Sequence, residues 1–486
     1  MTDAEFLKWL QSQDAVKLIL VEVQDVLVNG VPTPMYFSNR TFISSPTDSP
    51  SNTVYDPCIS GGVTFSESLA LDGSASVGFG DIELINLDGS KDDLLSYGWV
   101  NRSVSVYVGD PRFSKLDFRL IFSGQIENLY SRSSSTLNMV IVDKLPKLAV
   151  PVATALVPAG DGEVIPLTFG ECFNVPAVLL NPAELEYSVH DSAIEGIIEV
   201  RDNGYPVSVV KSLTNGTFKL TQASYGKITA SVQGSSLPSY SNNIAEIITR
   251  IISNYGPESS RLSLDIDYAN FSEFATSNTQ PVGIFINSEM TKLDVCQNLA
   301  SSVGATLTCN SQGKLKLVKL DLPVSTYKEV YSSDMVKDSL QIADKASVKA
   351  SVRLNYCINW SPHEDDLASG IAPSTVSVFK SKWYNIASKN TSVANTYDLP
   401  DTVVSEDTLL LTQADADNEA DRQLALWSTQ RYIYSAVYFP HLMLTELADG
   451  VKIHSDRFGL SEGKVGTVVR IERDWFNSRI TLGVLI

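Results

Sequence analysis

Residues 451–486 read VKIHSDRFGLSEGKVGTVVRIERDWFNSRITLGVLI. Two runs of alternating apolar and polar residues, Gly466 to Ile471 and Arg479 to Leu485, flank a polar turn at Asp474 to Ser478. A period of two places alternate side chains on one face of a strand. The pattern therefore predicts a β-hairpin with Val468, Ile471, Ile480, Leu482 and Val484 buried. The stretch ends on Ile486 without a polar tail. An apolar, strand-like end is expected to be paired inside a sheet or barrel begun much earlier in the chain.

The front of the chain has the same character. Residues 2–14 suit a short helix with Phe6, Leu7 and Leu10 on one face, and Lys17 to Val23 (KLILVEV) reads as an apolar strand. Asn29-Gly30 is a hairpin-turn dipeptide, and Met35 to Phe37 follows as the returning strand. Thr41 to Pro57 is rich in Ser, Thr, Pro and Asn and reads as a loop. From Gly61 come VTFSESLAL, SVGFGDIELIN, VSVYVGD, FRLIFSGQIENLYSR and TLNMVIVD, with turn residues at Asp72-Gly73, Asp88-Gly89 and Gly109-Asp110-Pro111. Short strands at this spacing predict a β-barrel or sandwich over residues 15–145. No sequence repeat of 20–50 residues is visible, although the first and last regions are alike in their β-rich character.

Between them the composition changes. Residues 150–165 are rich in Pro, Ala and Gly and read as a linker. Pro166 to Gly234 is a second β-rich segment, with a hairpin turn at Asn203-Gly204. Asn242 to Tyr255 carries Ile244, Ile247, Ile248, Ile251, Ile252 and Tyr255 on one stripe, the spacing of an amphipathic helix, and Gly256-Pro257 stops it. A second helix is predicted over Lys292 to Val303, with Thr291 as N-cap, Asp294 three residues on and Gly304 past its end. The hairpin ATLTCNSQGKLKLVKL completes a small α+β module over 237–322. Strands resume from Tyr327, notably SVKASVRLNYCINW. A Ser/Asn/Asp-rich loop spans Ser361 to Asn395, and a helix over Asp415 to Tyr432 presents Ala416, Ala420, Leu424 and Trp427. The fold class is thus mainly β, multidomain, with four regions at 1–150, 151–236, 237–326 and 327–486. A chain of 486 residues is too long for one core.

Bulk composition excludes some functions. The formal charge is −19, whereas sequence-independent nucleic-acid binding runs on neutralising phosphates with Lys and Arg. An acidic balance suits a surface that DNA must pass without sticking. The five cysteines, Cys58, Cys172, Cys296, Cys309 and Cys357, lie far apart and include no C-x-x-C, so buried thiols in a reducing compartment are expected. The first residues lack a basic region followed by an apolar run, so no signal peptide is read there. No stretch approaches the ~20 apolar residues of a membrane span. The Asn-x-Ser/Thr matches at Asn39 and Asn215 carry no glycosylation meaning in that setting.

Candidate chemistry is sparse. Gly459-Leu460-Ser461-Glu462-Gly463 fits G-x-S-x-G, but a nucleophile elbow needs a helix after it, and a strand pattern follows. The acidic run Asp415, Asp417, Glu419, Asp421 lacks the glycine and closing glutamate of a calcium loop and suits a helix N-terminus instead. His190, His363, His441 and His454 share no metal-ligand spacing. There is no phosphate-binding G-x-x-x-x-G-K-[ST] loop and no G-x-G-x-x-G after a strand. A carboxylate pair for glycoside hydrolysis is not locatable from sequence. No catalytic, cofactor-binding or metal-ligating residues are assigned, and no cofactor is expected.

Taken in order, GGVTFSESLALDGSASVGFGDIELINLDG with VSVYVGD, IPLTFGECFNVPAVLL, GKITASVQG leading into helix 242–255, and RFGLSEGKVGTVVRIERDWFNSRITLGVLI resemble the baseplate-hub (tail-tip hub) proteins of long flexible-tailed bacteriophages, the siphoviruses. The resemblance covers most of the chain and rests on the order of four patches, none of them catalytic. It implies a homotrimer of hub subdomains in which two β-barrels per chain, here 1–150 (from about residue 15) and 327–486, resemble the tail-tube fold. Residues 151–236 and 237–326 would be accessory hub subdomains. Six barrels would continue the sixfold tail tube, and the threefold below would match a central fibre or spike. The implied role is structural and non-enzymatic: an adaptor at the virion tail tip, assembled in the host cytoplasm, that keeps the channel closed before DNA ejection. Its implied partners are the distal tail protein ring, the tape-measure protein and the central fibre or receptor-binding proteins, with DNA passing unbound.

The sequence departs from some relatives. Many hubs continue into fibre domains, whereas this sequence stops at Ile486, so the fibre is expected as a separate chain or at another attachment. The scattered cysteines argue against the iron–sulfur cluster of some tail-tip proteins. Two alternatives remain open from sequence: a tail-tip cell-wall hydrolase, and a receptor-binding adhesin.

Overall fold

The computed structural model describes residues 1–486 apart from 72–77, 159–161, 324–326 and 401–402. The turn expected at Asp72-Gly73 and residues 159–161 of the expected linker fall outside the described residues. The chain divides into two compact units, each discontinuous in sequence. The first comprises Met1–Pro146, Thr308–Ala346 and Gln430–Ile486, and the second Lys147–Leu307 and Ser347–Thr429.

A 13-stranded sheet dominates the first unit. Its strands are β1 (Leu18–Val28), β2 (Val31–Ser38), β3 (Ile59–Ser68), β4 (Phe79–Ile85), β5 (Ser103–Gly109), β6 (Arg119–Ser133) and β7 (Thr136–Val142), then β8 (Lys328–Tyr331), β9 (Gln341–Lys345), β10 (Tyr432–Tyr438), β11 (Gly450–Ser455), β12 (Leu460–Asp474) and β13 (Arg479–Leu485). The order across the sheet is β2-β1-β5-β6-β7-β4-β3-β12-β13-β10-β9, with β11 beside β12 and β8 beside β11. The terminal hairpin therefore lies inside the sheet. Its turn falls where the alternation breaks, between Asp474 and Arg479, and Val468, Ile471, Ile480, Leu482 and Val484 are all buried.

The expectation of separate early and late barrels needs correction. β3 hydrogen-bonds to β12, so the two strand sets run on into one sheet, and no sheet closes on itself among the described residues. One apolar core serves both sets. It includes Val21, Ile82, Val106 and Ile141 from the early strands and Val451, Ile471, Leu482 and Val484 from the late ones. Residues 41–57, expected as a loop, hold a small hairpin that pairs Phe42 with Tyr55.

Five strands occur twice in the same chain order: β3, β4, β5, β6, β7 and then β9, β10, β11, β12, β13. β6 and β12 are each 15 residues long, and each pairs its first half with the preceding strand and its second half with the following one. Their registers coincide. Gln125 faces Ser103 and Val142, while Thr467 faces Gly450 and Leu485. A bulge follows Ile126 in one and Val468 in the other. Asn101 N–H donates to Ile126 O (2.8 Å), and Ala448 N–H donates to Val468 O (2.9 Å). Both Asn101 and Ala448 have left-handed backbones, with φ of 63° and 67°. Gly124 and Gly466 also occupy matching sites. A Cβ on Gly124 would lie 2.1 Å from Val142 O, and one on Gly466 would lie 2.4 Å from the equivalent Leu485 O. Only glycine lets the strands approach this closely. The second unit's segment Ser347–Thr429 is inserted between β9 and β10, the place occupied in the first motif by residues 69–78.

The second unit carries a five-stranded sheet, in the order Tyr205–Pro206, Ile194–Asp202, Ile228–Ser235, Leu167–Pro176, Gly283–Ile286. The turn at Asn203 and Gly204 has φ of 47° and 80°, the left-handed pair that Asn-Gly supplies at low cost. The predicted isoleucine helix spans Ile244–Asn254, buries all five isoleucines, and is capped by Asn243 Oδ1 accepting from Ala245 and Glu246 N–H. The helix Lys292–Ser301 is capped by Thr291 as expected. The late helix runs from Gln413 to Trp427 and stops short of Tyr432, because Tyr432 already belongs to β10. The expected loop at Ser361 to Asn395 contains helices Pro373–Lys380 and Thr391–Tyr397 and the strand Tyr384–Lys389.

Candidate assembly site

The joint between β3 and β12 is where the two motifs meet. Ser68, Glu67, Ser66, Phe65 and Thr64 stand opposite Arg470, Ile471, Glu472, Arg473 and Asp474 in antiparallel register. Beneath it lies a buried ion pair: Arg473 Nη1 is 3.2 Å from Glu67 Oε2, and the side chains are 4% and 5% exposed. Arg473 also donates through Nε to Met443 O (3.1 Å) and through Nη2 to Thr445 O (2.6 Å). A buried charge needs such pairing and hydrogen bonding. Arg473 is hydrogen-bonded through Nε and Nη2, while Nη1 and Glu67 Oε1 make no hydrogen bond among the described residues and are held by the ion pair alone. Nearby, Asp143 is buried and accepts from Gly78 N–H (2.6 Å) and Leu145 N–H (2.9 Å). Burial pushes its carboxyl up to about 7, against the pull of the two N–H donors.

The opposite face of the joint is polar. A groove of 460 Å³ opens there, lined by Ser66, Phe79, Arg470, Glu472 and Thr481 among others. Arg470 reaches Asp344 (2.8 Å) on the same face.

Sheet edges differ in how they are treated. β2, at one end, carries Pro32 and Pro34, which lack the N–H a further strand would need. β9, at the other end, has every residue exposed and no proline. The second half of β6 is a third edge. Beyond Ile126, no strand lies on its β5 side among the described residues, and Glu127, Asn128, Ser131, Arg132 and Ser133 are exposed.

The residues singled out by chemistry do not converge. Ser461 is exposed within β12, after a turn with φ of 57° at Phe458 and 71° at Gly459, so it sits on no strand-to-helix elbow. The acidic run lies in helix 413–427, where Thr412 caps Asp415 N–H and Glu419 pairs with Arg422 (2.7 Å). His190 is buried, accepting from Thr168 N–H at Nδ1 (2.9 Å) with Nε2 3.1 Å from Tyr255 Oη. Burial drives its pKa down to about 3, and the Arg250 charge adds to that. His363 lies 3.1 Å from Asp366, His441 lies 3.8 Å from Asp334, and His454 stacks on Tyr331. No group of three or more His, Cys, Asp and Glu with metal-holding geometry occurs among the described residues. The five cysteines are free thiols; burial pushes Cys58 up to about 12 and raises Cys172 and Cys296 as well.

What sequence reading missed is the repeat itself. Over Phe122–Arg132 against Lys464–Asp474 the one identical residue is the glycine, Gly124 and Gly466. The remaining signal is a glycine two residues before a β-branched apolar residue, Ile126 or Val468, inside a long strand pattern.

No family model matches this chain, and no curated protein matches it. Solved structures do. The 43 kDa tail protein of prophage MuSo2 from Shewanella oneidensis matches with 9% identity and a TM-score of 0.45, over 97% of this chain and 98% of that one. A tail protein from Neisseria meningitidis MC58 matches with 9% identity and a TM-score of 0.39, over 96% of each chain. A chain of a gene transfer agent virion matches with 12% identity and a TM-score of 0.44, over 68% of this chain and 86% of that one.

Proposed function

We propose that this chain is a structural baseplate hub of a siphovirus tail tip, acting as a homotrimer. The observation that carries this reading is the five-strand motif that occurs twice and is joined edge to edge in one sheet. A chain holding two like units side by side is suited to matching sixfold to threefold symmetry, since three copies present six units. One end of such a ring fits the tail tube through the distal tail protein, and the other fits a central fibre, spike or receptor-binding protein. The tape-measure protein and DNA pass through the middle, and the ring holds that channel closed until ejection. The net charge of −19 supports a lumen that does not retain DNA. The role is architectural and not enzymatic, and the working location is the virion tail tip.

Light scattering on the purified protein, with negative-stain microscopy, tests this reading. The expected result is a particle of three 53.0 kDa chains with a central channel. A monomer at all accessible concentrations would overturn it.

A further inference from the structure

The two motifs match strand for strand, yet only one of their two equivalent joints is made within the chain. The internal joint places β3 on the second half of β12. Each strand has a counterpart, fixed by register. Phe65 of β3 stands opposite Gly80, which stands opposite Ile141 of β7. Ile342 of β9 stands opposite Tyr434, which stands opposite Val484 of β13. Ile141 and Val484 in turn face Ile126 and Val468, the equivalent residues of β6 and β12. Hence β9 corresponds to β3 and β6 corresponds to β12. The counterpart of the β3–β12 joint is β9 on the second half of β6. Within one chain that joint is not made, because β7, β4, β3, β12, β13 and β10 lie between the two strands.

We infer that β9 of one copy pairs antiparallel with Asn128–Arg132 of β6 in a second copy. Transferring the internal register residue by residue places Gln341 opposite Arg132, Ile342 opposite Ser131, Asp344 opposite Tyr130 and Lys345 opposite Leu129. Ala343 takes the bulge already present between Ile342 and Asp344.

Three features of the surface suit this occupant. Arg473, at the internal joint, is buried, whereas its counterpart Ser131, where no strand is added, is exposed. Ile471 is 2% exposed and its counterpart Leu129 9%, so an apolar side chain already points into the core where the second strand would lie. The charges also fit. Asp344 and Arg132 already pair within the chain, with Arg470 (2.8 Å) and Asp81 (2.6 Å), yet keep 49% and 58% of their side chains exposed for a further partner. The register sets them diagonally across two strands on one face, within reach of each other. Lacking proline, β9 keeps a backbone N–H at every position, as strand addition requires, and the Lys345 N–H donates locally to the neighbouring Asp344 side chain (2.8 Å).

This inference rests on the hub reading only for the association of copies; closure at three is the claim of that reading, and the register is the claim made here. The test is a chain carrying Ile342→Cys and Ser131→Cys in a Cys357→Ser background, oxidised and run on a non-reducing gel. A chain with Ile342→Cys and Ser133→Cys, shifted by two residues, is the control. The expected result is a ladder of linked chains, at least about fivefold more abundant than in the control, because opposed Cβ atoms lie about 5 Å apart and shifted ones about 7 Å or more. In the unmodified protein, amide exchange of 127–133 and 341–345 should slow by about tenfold or more on association. A trimer without the in-register link, or without that protection, overturns the inference and leaves the hub reading standing. A ladder from particles that do not close at three supports the inference and overturns the hub reading. A protein that never associates overturns both.

Discussion

Arg473 and Glu67 meet across the joint between β3 and β12, with Nη1 and Oε2 3.2 Å apart and both side chains buried. The pair ties the front of the sequence to its last hairpin at a point where apolar contact alone would suffice for burial. Arg473 also holds the backbone carbonyls of Met443 and Thr445. Removing one partner of such a pair leaves a buried charge uncompensated, at about 3–5 kcal/mol. Glu67→Gln should therefore destabilise the first unit by about 3 kcal/mol, read as a lower urea midpoint. The double variant with Arg473→Met should cost less than the sum of the single variants, since each removes the charge the other leaves exposed to the core. Additive costs would mean the two groups do not act as a pair.

The paired glycines make a second test. An alanine Cβ at Gly124 would lie 2.1 Å from Val142 O, and one at Gly466 would lie 2.4 Å from Leu485 O. The obstacle in each case is backbone in a central hairpin, which cannot yield as a side-chain tip can. Each Gly→Ala substitution should cost about 2–3 kcal/mol, the upper range for overpacking. Gly196→Ala, in a strand of the second unit where the nearest atom is Gln233 Oε1 at 3.5 Å, should be close to neutral. Thermal unfolding of the three variants checks the contrast.

Those glycines also mark the limit of what the sequence conveys. The terminal hairpin was legible because Ile480, Leu482 and Val484 keep strict alternation and Asp474 to Ser478 breaks it, whereas Val468 and Ile471, three residues apart, share a face only through the bulge after Val468. The isoleucine helix was legible because five isoleucines at helical spacing leave one reading. The joint was not legible, since the partner of Arg473 lies some four hundred positions away and no local pattern encodes a pairing between distant edges. The repeat was hidden because a strand position demands only a face and a size, which Leu129 and Ile471 satisfy as well as identical residues would. Helix Tyr268–Ser277 escaped notice because only Phe271 and Phe274 are buried on it, too narrow a stripe to stand out. The candidate assembly edges are legible only as an absence of prolines in β9, which gains meaning once the sheet order is known.

His190 makes the second unit sensitive to acid. Its Nδ1 accepts from Thr168 N–H, so the ring proton sits on Nε2 and points to Tyr255 Oη, which is also 3.0 Å from Ser235 Oγ. Protonation would set a second N–H against Thr168. Burial lowers the folded pKa to about 3, whereas the unfolded side chain titrates near 6.5. The unfolded state therefore binds the extra proton first. The stabilising contribution is complete above about pH 6.5 and declines as pH falls toward 3, by at most about 1.4 kcal/mol per unit. His190→Gln should flatten that slope and, by losing one of the two buried hydrogen bonds, cost about 1–3 kcal/mol at pH 7.5. Urea titrations from pH 7.5 to 5 supply the comparison.

Asp143 gives the first unit the opposite trend. Its carboxyl is buried, and burial raises its pKa to about 7, with the Glu67 charge adding to the rise. An unfolded aspartate titrates near 3.9. Between those values the folded state holds a proton that the unfolded state has lost, so stability falls as pH rises from about 4 to about 7 and is level above that. The slope is again at most about 1.4 kcal/mol per unit. Asp143→Asn removes the titration. It also leaves one carbonyl oxygen for two backbone donors, Gly78 and Leu145 N–H, so a buried donor goes unpaired at about 1–3 kcal/mol. At pH 5 the variant should therefore be clearly less stable than the parent, and by pH 8 the gap should narrow or close, because the parent has lost its proton-linked contribution. Calorimetry from pH 5 to 8 should show the two units responding to pH in opposite directions, with the falling limb absent in Asp143→Asn and the rising limb absent in His190→Gln. A falling limb that survives Asp143→Asn would place the titrating group elsewhere in the first unit.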